Sequence, residues 1–267
     1  MRLSEPAAAK LNLALHVRGK LPDGRHQLET IFAFCVDGDR VEAQPGDQFG
    51  LELVGPFAAQ LADADDNSVL QAARSLADAA DVGTAVSLRL TKNLPIASGI
   101  GGGSADAAAT LRLLTRLWSL DPALAETIAP QLGSDVPACL LSMSARGDGA
   151  GDQLQLVDLA VAGLPVLLVN PGVALWTRDV FASWDGLDRG ALHGWRDGRN
   201  DLEEPARRLV PQIDHVLDWL KTRQGVDFVR MSGSGATCFA LFDDETSRDE
   251  AAAACPPNWW HLASFLR

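Results

Sequence analysis

The chain has 267 residues, of which 47% are hydrophobic, and a formal net charge of −12 at pH 7. This length suits one large or two moderate domains with ample material for a buried core. The acidic balance disfavours nucleic acid as a partner, and the lack of an apolar run of membrane-spanning length disfavours a membrane partner. Because no signal-peptide core stands near the start, we expect a cytoplasmic protein.

Four cysteines are spread along the chain and form no Cys-x-x-Cys pair. Such spacing favours buried thiols in a reducing compartment over disulfides or a metal centre. We therefore expect core packing for each of them, namely Cys35, Cys139, Cys238 and Cys255.

The first predicted element is a strand from Ala7 to Val17. Its leucines fall on one side, whereas Lys10 and Asn12 fall on the other. Because the small residues before Lys10 offer no other polar group, this second side is a candidate functional face, with an ordinary strand edge as the alternative. A turn cluster follows, in which His26 is either a ligand contact or an exposed loop residue.

The most distinctive stretch runs from Pro95 to Ala107, after a helix capped by Asp66 or Asn67 and a predicted strand. Four of the five residues from Gly99 to Gly103 are glycine. The apolar spacing after them predicts a helix, whose N-terminal N–H groups and dipole attract anions. The stretch therefore indicates a phosphate-binding loop, although it is neither a Walker loop nor a dinucleotide fingerprint. A glycine-rich helix entry that only permits close packing is the alternative.

The second half of the chain offers one candidate carboxylate and a second glycine loop. Asp135 stands between a glycine turn and a proline, so we expect a half-buried, rigidly held side chain, with a turn or cap residue as the alternative. The polar, glycine-rich stretch from Ser144 to Asp152 is the best candidate for a connection between domains. Thr177 is expected to cap a helix, and a further helix is predicted from Val210 to Lys221, with an apolar stripe at Ile213, Val216, Leu217 and Leu220. The second glycine loop runs from Ser232 to Ala236.

Three separated stretches resemble, in order and spacing, the three motifs of the GHMP superfamily of small-molecule kinases. They are Pro6-Ala-Ala-Ala-Lys10-Leu-Asn12-Leu, Pro95 to Ala107, and Met231-Ser-Gly-Ser-Gly-Ala-Thr. Further matches are Asp23-Gly-x-His26, Gly133-x-Asp135-Val-Pro137, Asn170-Pro-Gly-Val with Thr177, and Asn200-Asp201. Within the superfamily the chain is most similar to the members that act on diphosphocytidyl methylerythritol, and the similarity covers nearly the whole chain.

The resemblance implies a two-domain α/β (α+β) kinase fold. An N-terminal domain like domain 2 of ribosomal protein S5, with a left-handed-type crossover, is expected over residues 1–153, and a ferredoxin-like domain over residues 154–267. The implied activity is transfer of the γ-phosphoryl group of ATP to the 2-hydroxyl of diphosphocytidyl methylerythritol, in the non-mevalonate (MEP) route to isoprenoid precursors. Mg²⁺ is the implied cofactor, with its protein ligands unassigned, and the chain is expected to be a monomer or a homodimer.

The resemblance also assigns site residues. Lys10 is expected beside the reacting hydroxyl and Asp135 as the general base, and a nearby ammonium would keep that carboxylate ionised. The ATP-binding residues are expected to be Asn67, Lys92, Pro95, Ile96, Ala97, Ser98, Gly99, Ile100, Gly101, Gly102, Gly103 and Ser104. The substrate-binding residues are expected to be Asn12, Arg25, His26, Thr177 and Phe181.

One position departs from the family pattern. The chain has no tyrosine, and Arg25 stands where the family commonly places a tyrosine that stacks on the cytosine of the substrate. A guanidinium is planar and can itself stack on a base, and its charge can reach a diphosphate. We therefore expect stacking on the substrate by Arg25 together with Phe181.

Other functions stay open at this point. One is a GHMP kinase for homoserine, mevalonate or a sugar, against which the Asp23-Gly-x-His26 motif argues. Another is a non-catalytic nucleotide-binding sensor, against which Lys10 and Asp135 argue. The third is a purely structural α/β protein, whose melting temperature would not rise with ATP.

Overall fold

The chain, described by a computed structural model over residues 2–46, 49–61, 67–83 and 85–267, divides into two compact units. The first unit comprises Met1–Ala9, Asp37–Ile96 and Gly101–Ser142, and the second comprises Lys10–Val36, Ala97–Ile100 and Met143–Arg267. Two long strands, β1 (Leu3–Lys20) and β2 (His26–Pro45), pair with each other and pass from one unit into the other. The units therefore alternate along the sequence, and a domain boundary after residue 153 stays a prediction.

The first unit combines a sheet with a layer of helices. Its further elements are β3 (Gly50–Val54), a short 3-10 helix (Ala58–Gln60), α1 (Ser68–Ala80), β4 (Val86–Thr91), α2 (Gly102–Leu117), α3 (Pro122–Leu132) and α4 (Val136–Leu141). Strand β4 pairs in parallel with β3 and antiparallel with the end of β2. Helix α2 contacts α1, α3 and α4, and the α1 side chains of Val69, Ala73 and Leu76 are buried. The hydrophobic core of this unit thus surrounds α2.

The second unit contains a four-stranded antiparallel sheet. Its elements are β5 (Ala145–Asp148), β6 (Gln153–Leu156), β7 (Pro165–Asn170), α5 (Thr177–Ala182), α6 (Glu203–Leu209), α7 (Gln212–Lys221), β8 (Val226–Met231), β9 (Cys238–Phe242), α8 (Glu245–Ala253) and β10 (Trp260–Phe265). The strand order β10-β7-β9-β8, with α7 and α8 as the connecting helices, is the ferredoxin-like arrangement and confirms that prediction. The apolar stripe predicted for α7 is fully buried.

The glycine-rich stretch from Ser144 to Asp152 is not an extended connection. Its first part forms β5, which pairs antiparallel with Thr30–Phe32 of β2 and with β6. A Cβ atom on Gly147 would lie 2.7 Å from the Phe32 ring, so the glycine permits close packing inside a sheet. The sequence did not predict this strand because such a glycine is indistinguishable, in sequence, from one in a loop, and the connection between domains stays a prediction.

The cysteines lie mainly in the core. Cys35 in β2, Cys139 in α4 and Cys238 in β9 are buried, and Cys255 is partly buried. The prediction of packed thiols is confirmed for the first three. Within the described part of the chain, none of the helices combines the length and the apolar character needed to cross a membrane.

Asn67 caps α1, and Asp66, the other expected cap residue, lies outside the described residues. The Asn67 side chain accepts a hydrogen bond from the Val69 N–H at 2.9 Å. We predict that Asn67→Ala lowers the stability by about 1 kcal/mol, measured as a lower midpoint of urea unfolding, because one N-terminal N–H group loses its acceptor. Asn67→Asp keeps an acceptor and adds a charge that the helix dipole favours, so its midpoint should not fall. An equal fall in both variants would contradict the capping role.

Candidate active site

The first glycine-rich stretch forms a loop that runs directly into α2. The helix begins at Gly102, and Gly101 before it has a φ of 66°, in the left-handed region that favours glycine. The expected position at a helix N-terminus is confirmed, and the helix starts within the glycines. The first turn of α2 thus offers backbone N–H groups, at the positive end of the helix dipole, to a negatively charged group.

The reason why a position in this loop requires glycine differs from one glycine to the next. A Cβ atom on Gly99 would lie 2.6 Å from the Gly235 nitrogen and from the Ser232 carbonyl oxygen, and the Ser232 hydroxyl donates to the Gly99 carbonyl at 3.1 Å. The two glycine loops of the chain therefore pack backbone against backbone at Gly99. At Gly103, by contrast, the one atom that a Cβ atom would meet among the described residues is the Ser68 hydroxyl oxygen, at 3.9 Å. Close packing explains why residue 99 is glycine. It does not explain the glycine at residue 103.

Lys10 and Asn12 lie on one face of β1, as the alternation predicted. The Lys10 ammonium donates to Asn12 Oδ1 at 2.9 Å and lies 5.1 Å from the centre of the Phe32 ring. The Asn12 amide donates to the Thr30 hydroxyl at 2.8 Å, and that hydroxyl donates to the Ala14 carbonyl at 2.7 Å. This chain of hydrogen bonds orients the buried ammonium. Sequence reasoning missed Thr30, because no motif marks a hydroxyl on a neighbouring strand.

The second glycine loop is held by the residues that the family motifs single out. The Asn12 N–H donates to the Ser232 hydroxyl at 3.2 Å. The Asn200 amide donates to the carbonyl oxygens of Met231 and Gly233, at 2.8 Å in each case. Asn200 therefore clamps both sides of this loop, a structural role within the second unit.

Thr177 begins α5 but does not cap it. The N-cap residue is Trp176, and the Thr177 hydroxyl shares a hydrogen bond of 2.9 Å with the Ser234 hydroxyl. The capping prediction was wrong because a partner from the second glycine loop, distant in sequence, takes the hydroxyl. Thr177 thereby lies beside this loop.

An aromatic cluster, which we call the aromatic wall, consists of His26, Phe181 and Trp184. The His26 and Phe181 rings stack with centroids 4.4 Å apart and planes at 24°, and Trp184 meets His26 edge-on at 5.6 Å. Burial lowers the pKa of His26, and the positive charge of Lys20 lowers it further, which favours a neutral ring. The Trp184 Nε1 is buried and has no hydrogen-bond partner among the described residues. Sequence reasoning missed Trp184. The lack of tyrosine was the only signal for it, because aromatic contacts then have to come from other aromatic residues.

The structure gives Arg25 partners other than Phe181. Its guanidinium donates to Asp23 at 2.8 Å and to Asp152 at 3.0 Å, and these hydrogen bonds raise the pKa of Arg25. The ring that stacks on Phe181 is that of His26. These contacts do not test the expected stacking of Arg25 and Phe181 on the substrate, which stays a prediction. The sequence alone did not predict the contact with Asp152, which lies 127 residues away along the chain.

The Lys92 side chain is buried in a cluster of charges. Its ammonium donates to Asp39 at 2.5 Å and to Asp106 at 2.6 Å. Burial raises the pKa of Asp106 to about 7, partly offset by the charge of Lys92. Burial disfavours the ammonium, yet the charges of Asp106 and Asp39 raise the pKa of Lys92. ATP binding by Lys92 stays a prediction, and sequence reasoning missed both carboxylates because they are far apart along the chain.

Asp135 lies at the start of α4, in the first unit. Its residue is half buried, as predicted, and its carbonyl accepts the Cys139 N–H at 3.0 Å. Lys10 belongs to the second unit. The expected pairing of these two side chains joins residues of different units and stays a prediction.

Comparisons with known proteins agree with the motifs. The chain matches the family models described as GHMP kinases N terminal domain, over residues 67–143, and GHMP kinases C terminal, over residues 182–261. A relative from Rhizorhabdus wittichii, named 4-diphosphocytidyl-2-C-methyl-D-erythritol kinase, is 50% identical in a match that covers 100% of this chain and 96% of the relative. A relative of the same name from Novosphingobium aromaticivorans is 48% identical, with 100% and 94% covered.

Solved structures extend the comparison. A crystal structure of 4-(cytidine 5'-diphospho)-2C-methyl-D-erythritol kinase has a TM-score of 0.84 at 32% identity and covers 100% of this chain and 99% of that chain. Homoserine kinase from Cytophaga hutchinsonii, at 18% identity and a TM-score of 0.70, covers 99% of this chain and 95% of its own and shares the fold. The chain therefore belongs to the GHMP kinases, which phosphorylate small-molecule alcohols with ATP, and within them to the 4-diphosphocytidyl-2-C-methyl-D-erythritol kinase family.

Proposed function

We propose that this chain transfers the γ-phosphoryl group of ATP to the 2-hydroxyl of 4-diphosphocytidyl-2-C-methyl-D-erythritol, as a step of the MEP pathway. The observation that carries the proposal is the glycine loop at the N-terminus of α2, where Gly103 has room for a group on its backbone. Phosphoryl transfer needs alignment and charge neutralisation above all. A loop of amides, one lysine and one carboxylate supply both.

Each residue has a role in the proposed reaction. The 2-hydroxyl oxygen of the substrate forms a bond to the γ-phosphorus, and the bond between that phosphorus and the bridging oxygen of the ADP leaving group breaks. Asp135 accepts the hydroxyl proton, and Lys10 stabilises negative charge at the reacting oxygens. The N–H groups from Gly99 to Ser104 hold the ATP phosphates. Because Asn12 and Thr30 already orient the Lys10 ammonium, little reorganisation accompanies the reaction.

Mg²⁺ is proposed to enter with ATP. Over the described ranges, the side chains of His, Cys, Asp and Glu form no group of three or more that could bind a metal ion. This suits Mg²⁺, which keeps water and phosphate oxygens as most of its ligands in nucleotide sites. The Ser104 hydroxyl, in the first turn of α2, is the candidate protein ligand. The bound ion would neutralise charge on the phosphates.

The cytosine of the substrate is proposed to stack on the aromatic wall. The rings of His26 and Phe181 are in contact at 4.4 Å, so the base stacks on an outer face of the pair rather than between the two rings. The buried N–H of Trp184 is a hydrogen-bond donor that suits a carbonyl or ring nitrogen of a base. Thr177 and Asn12 are proposed to contact the rest of the substrate.

One assay tests the activity. The protein is incubated with ATP, Mg²⁺ and the diphosphocytidyl alcohol, and phosphorus NMR is used to detect ADP and a new phosphomonoester. Homoserine, mevalonate and an analogue that lacks the cytosine serve as competing acceptors. Equal rates with the analogue would overturn the substrate assignment, and turnover of homoserine or mevalonate alone would favour another GHMP kinase activity.

The catalytic roles predict that Asp135→Asn lowers kcat by about 100-fold or more, because the general base is lost. Lys10→Ala should act likewise, since the charge at the reacting oxygens is no longer neutralised. Steady-state kinetics and calorimetric ATP titrations check both variants, with ATP affinity expected to change by less than about threefold. An Asp135→Asn enzyme with more than about a tenth of the normal kcat contradicts the base role.

The glycine loop predicts opposite outcomes at two glycines. Gly103→Val should weaken ATP binding by about tenfold or more, because its side chain enters the space of the phosphates. Its Tm should stay near normal, since the nearest described atom, the Ser68 hydroxyl oxygen, is 3.9 Å from the added Cβ atom. Gly99→Ala should lower Tm, because a Cβ atom 2.6 Å from two backbone atoms forces the glycine loops apart. Calorimetry and thermal melts measure both quantities. Normal ATP affinity in Gly103→Val would reduce the loop to a packing device.

The aromatic wall predicts that Phe181→Ala raises KM for the diphosphocytidyl substrate by about fivefold to thirtyfold, the equivalent of one stacking contact of about 1–2 kcal/mol. Arg25→Ala is the matched variant, since Arg25 is held by Asp23 and Asp152. Its KM should change by less than about twofold. If KM rises with Arg25→Ala and not with Phe181→Ala, Arg25 and not the aromatic wall recognises the cytosine.

A further inference from the structure

We propose that Asp39 is a positioning residue that, together with Lys92, holds the entry of the phosphate loop in place for ATP. The inference rests on the proposed function for its kinetic readout, and ATP binding tests it separately. The residues that carry it all belong to the first unit, and Asp39 belongs to none of the motifs that marked the site.

The first oxygen of the Asp39 carboxylate holds the chain just before the loop. Asp39 Oδ1 accepts hydrogen bonds from the N–H groups of Asn93, at 2.5 Å, and Leu94, at 2.8 Å. The Asn93 side chain in turn donates to the Gly38 carbonyl at 3.1 Å. Leu94 directly precedes Pro95, the first residue of the loop. Three hydrogen bonds therefore tie the loop entry to β2.

The second oxygen links the same point to α2. Asp39 Oδ2 accepts from the Lys92 ammonium at 2.5 Å, and that ammonium also donates to Asp106 of α2 at 2.6 Å. A Cβ atom on Gly102 would lie 3.1 Å from the Lys92 nitrogen, so the ammonium lies directly against the first turn of the helix. One carboxylate thus fixes both the chain that enters the loop and the helix that leaves it.

The deep burial of these charges indicates that the cluster serves to position the loop and not to stabilise the fold. The three charged residues are at most 2% exposed: Asp39, Lys92 and Asp106. Charges buried so deeply lose their hydration, and well-packed apolar residues often give equal or greater stability. What apolar side chains cannot supply is acceptors for two backbone N–H groups and a fixed cation beneath the first turn of α2. The cluster therefore serves the position of the loop.

A direct contact between Lys92 and ATP predicts a different change in ATP affinity when Asp39 is substituted. If the Lys92 ammonium bound a phosphate, its release from Asp39 would leave ATP affinity unchanged or increase it. If Asp39 positions the loop, its removal lowers ATP affinity because Asn93 and Leu94 lose their acceptor. Substitutions at Asp39 therefore separate the two explanations.

The experiment compares Asp39→Ala with Asp39→Asn. Asp39→Ala should raise KM and the calorimetric Kd for ATP by about tenfold or more, with KM for the alcohol substrate changed by less than about twofold. Asp39→Asn keeps an oxygen acceptor for both N–H groups but places an NH2 group against the Lys92 ammonium, so its ATP affinity should lie between those of Asp39→Ala and the unchanged protein. Glu5→Ala is the control for stability, because Glu5 is a buried acid of the same unit that pairs with Arg112 and Arg116, away from the loop.

Three outcomes overturn the proposal, and a fourth separates it from the proposed function. A folded Asp39→Ala protein with normal ATP affinity overturns the proposal, as does a Glu5→Ala protein with the same loss of ATP affinity. If Asp39→Ala does not fold, amide exchange in the unchanged protein provides the test: the Asn93 and Leu94 amides should exchange slowly without ATP, and exchange at open-loop rates overturns the proposal. If the ATP effects appear but no diphosphocytidyl alcohol is phosphorylated, the proposed function fails and the positioning role stands.

Discussion

The buried ammonium of Lys92 holds together the elements on either side of the first glycine-rich loop. It has carboxylates on two sides, Asp39 from β2 and Asp106 from α2, and the first turn of the helix above it. Two carboxylates around one cation leave an excess negative charge in the interior, and burial accordingly raises the pKa of Asp106 to about 7. Such a cluster is expensive to bury and specific in geometry. It joins a strand, a loop entry and a helix N-terminus at one point, which a less directional apolar contact cannot do.

A second constraint is steric and lies within the second unit. The backbone at Gly99 approaches Ser232 and Gly235 so closely that a side chain at Gly99 has no space. The same contact brings the Ser232 hydroxyl to the N–H of Asn12, whose amide orients Lys10. The glycine loops are therefore part of the support for the proposed catalytic lysine. Glycine in this family motif serves protein packing at one position and open backbone at another.

The acidic charge of the chain bears on the part of the protein that is proposed to bind the substrate. In a protein with a formal net charge of −12, an exposed arginine readily finds carboxylates, and Arg25 has two. These ion pairs hold the guanidinium beside Asp23 and Asp152, and the stacking surface proposed for the base consists of the His26 and Phe181 rings. Burial lowers the pKa of His26, which favours a neutral ring in its stack on Phe181. The lack of tyrosine is thus compatible with an aromatic wall.

Local sequence patterns determined much of the fold. The alternation in β1 put Lys10 and Asn12 on one face, the apolar stripe of α7 predicted its buried side, and the glycines of the first loop predicted a helix N-terminus. These features depend on neighbours within one or two turns or strand steps. The family motifs added the kinase class, the ferredoxin-like unit and the candidate catalytic residues.

Tertiary structure alone decided which side chains meet. Thr177 pairs with Ser234 instead of capping its helix, Gly147 lies in a strand, and Arg25 is held by a carboxylate 127 residues away. A hydroxyl, a glycine or a guanidinium has several acceptable partners, and local sequence does not say which of them the fold brings near. Asp39, 53 residues from Lys92, is the clearest case, because a buried ion pair is defined by where two strands and a helix converge and not by any pattern within one of them.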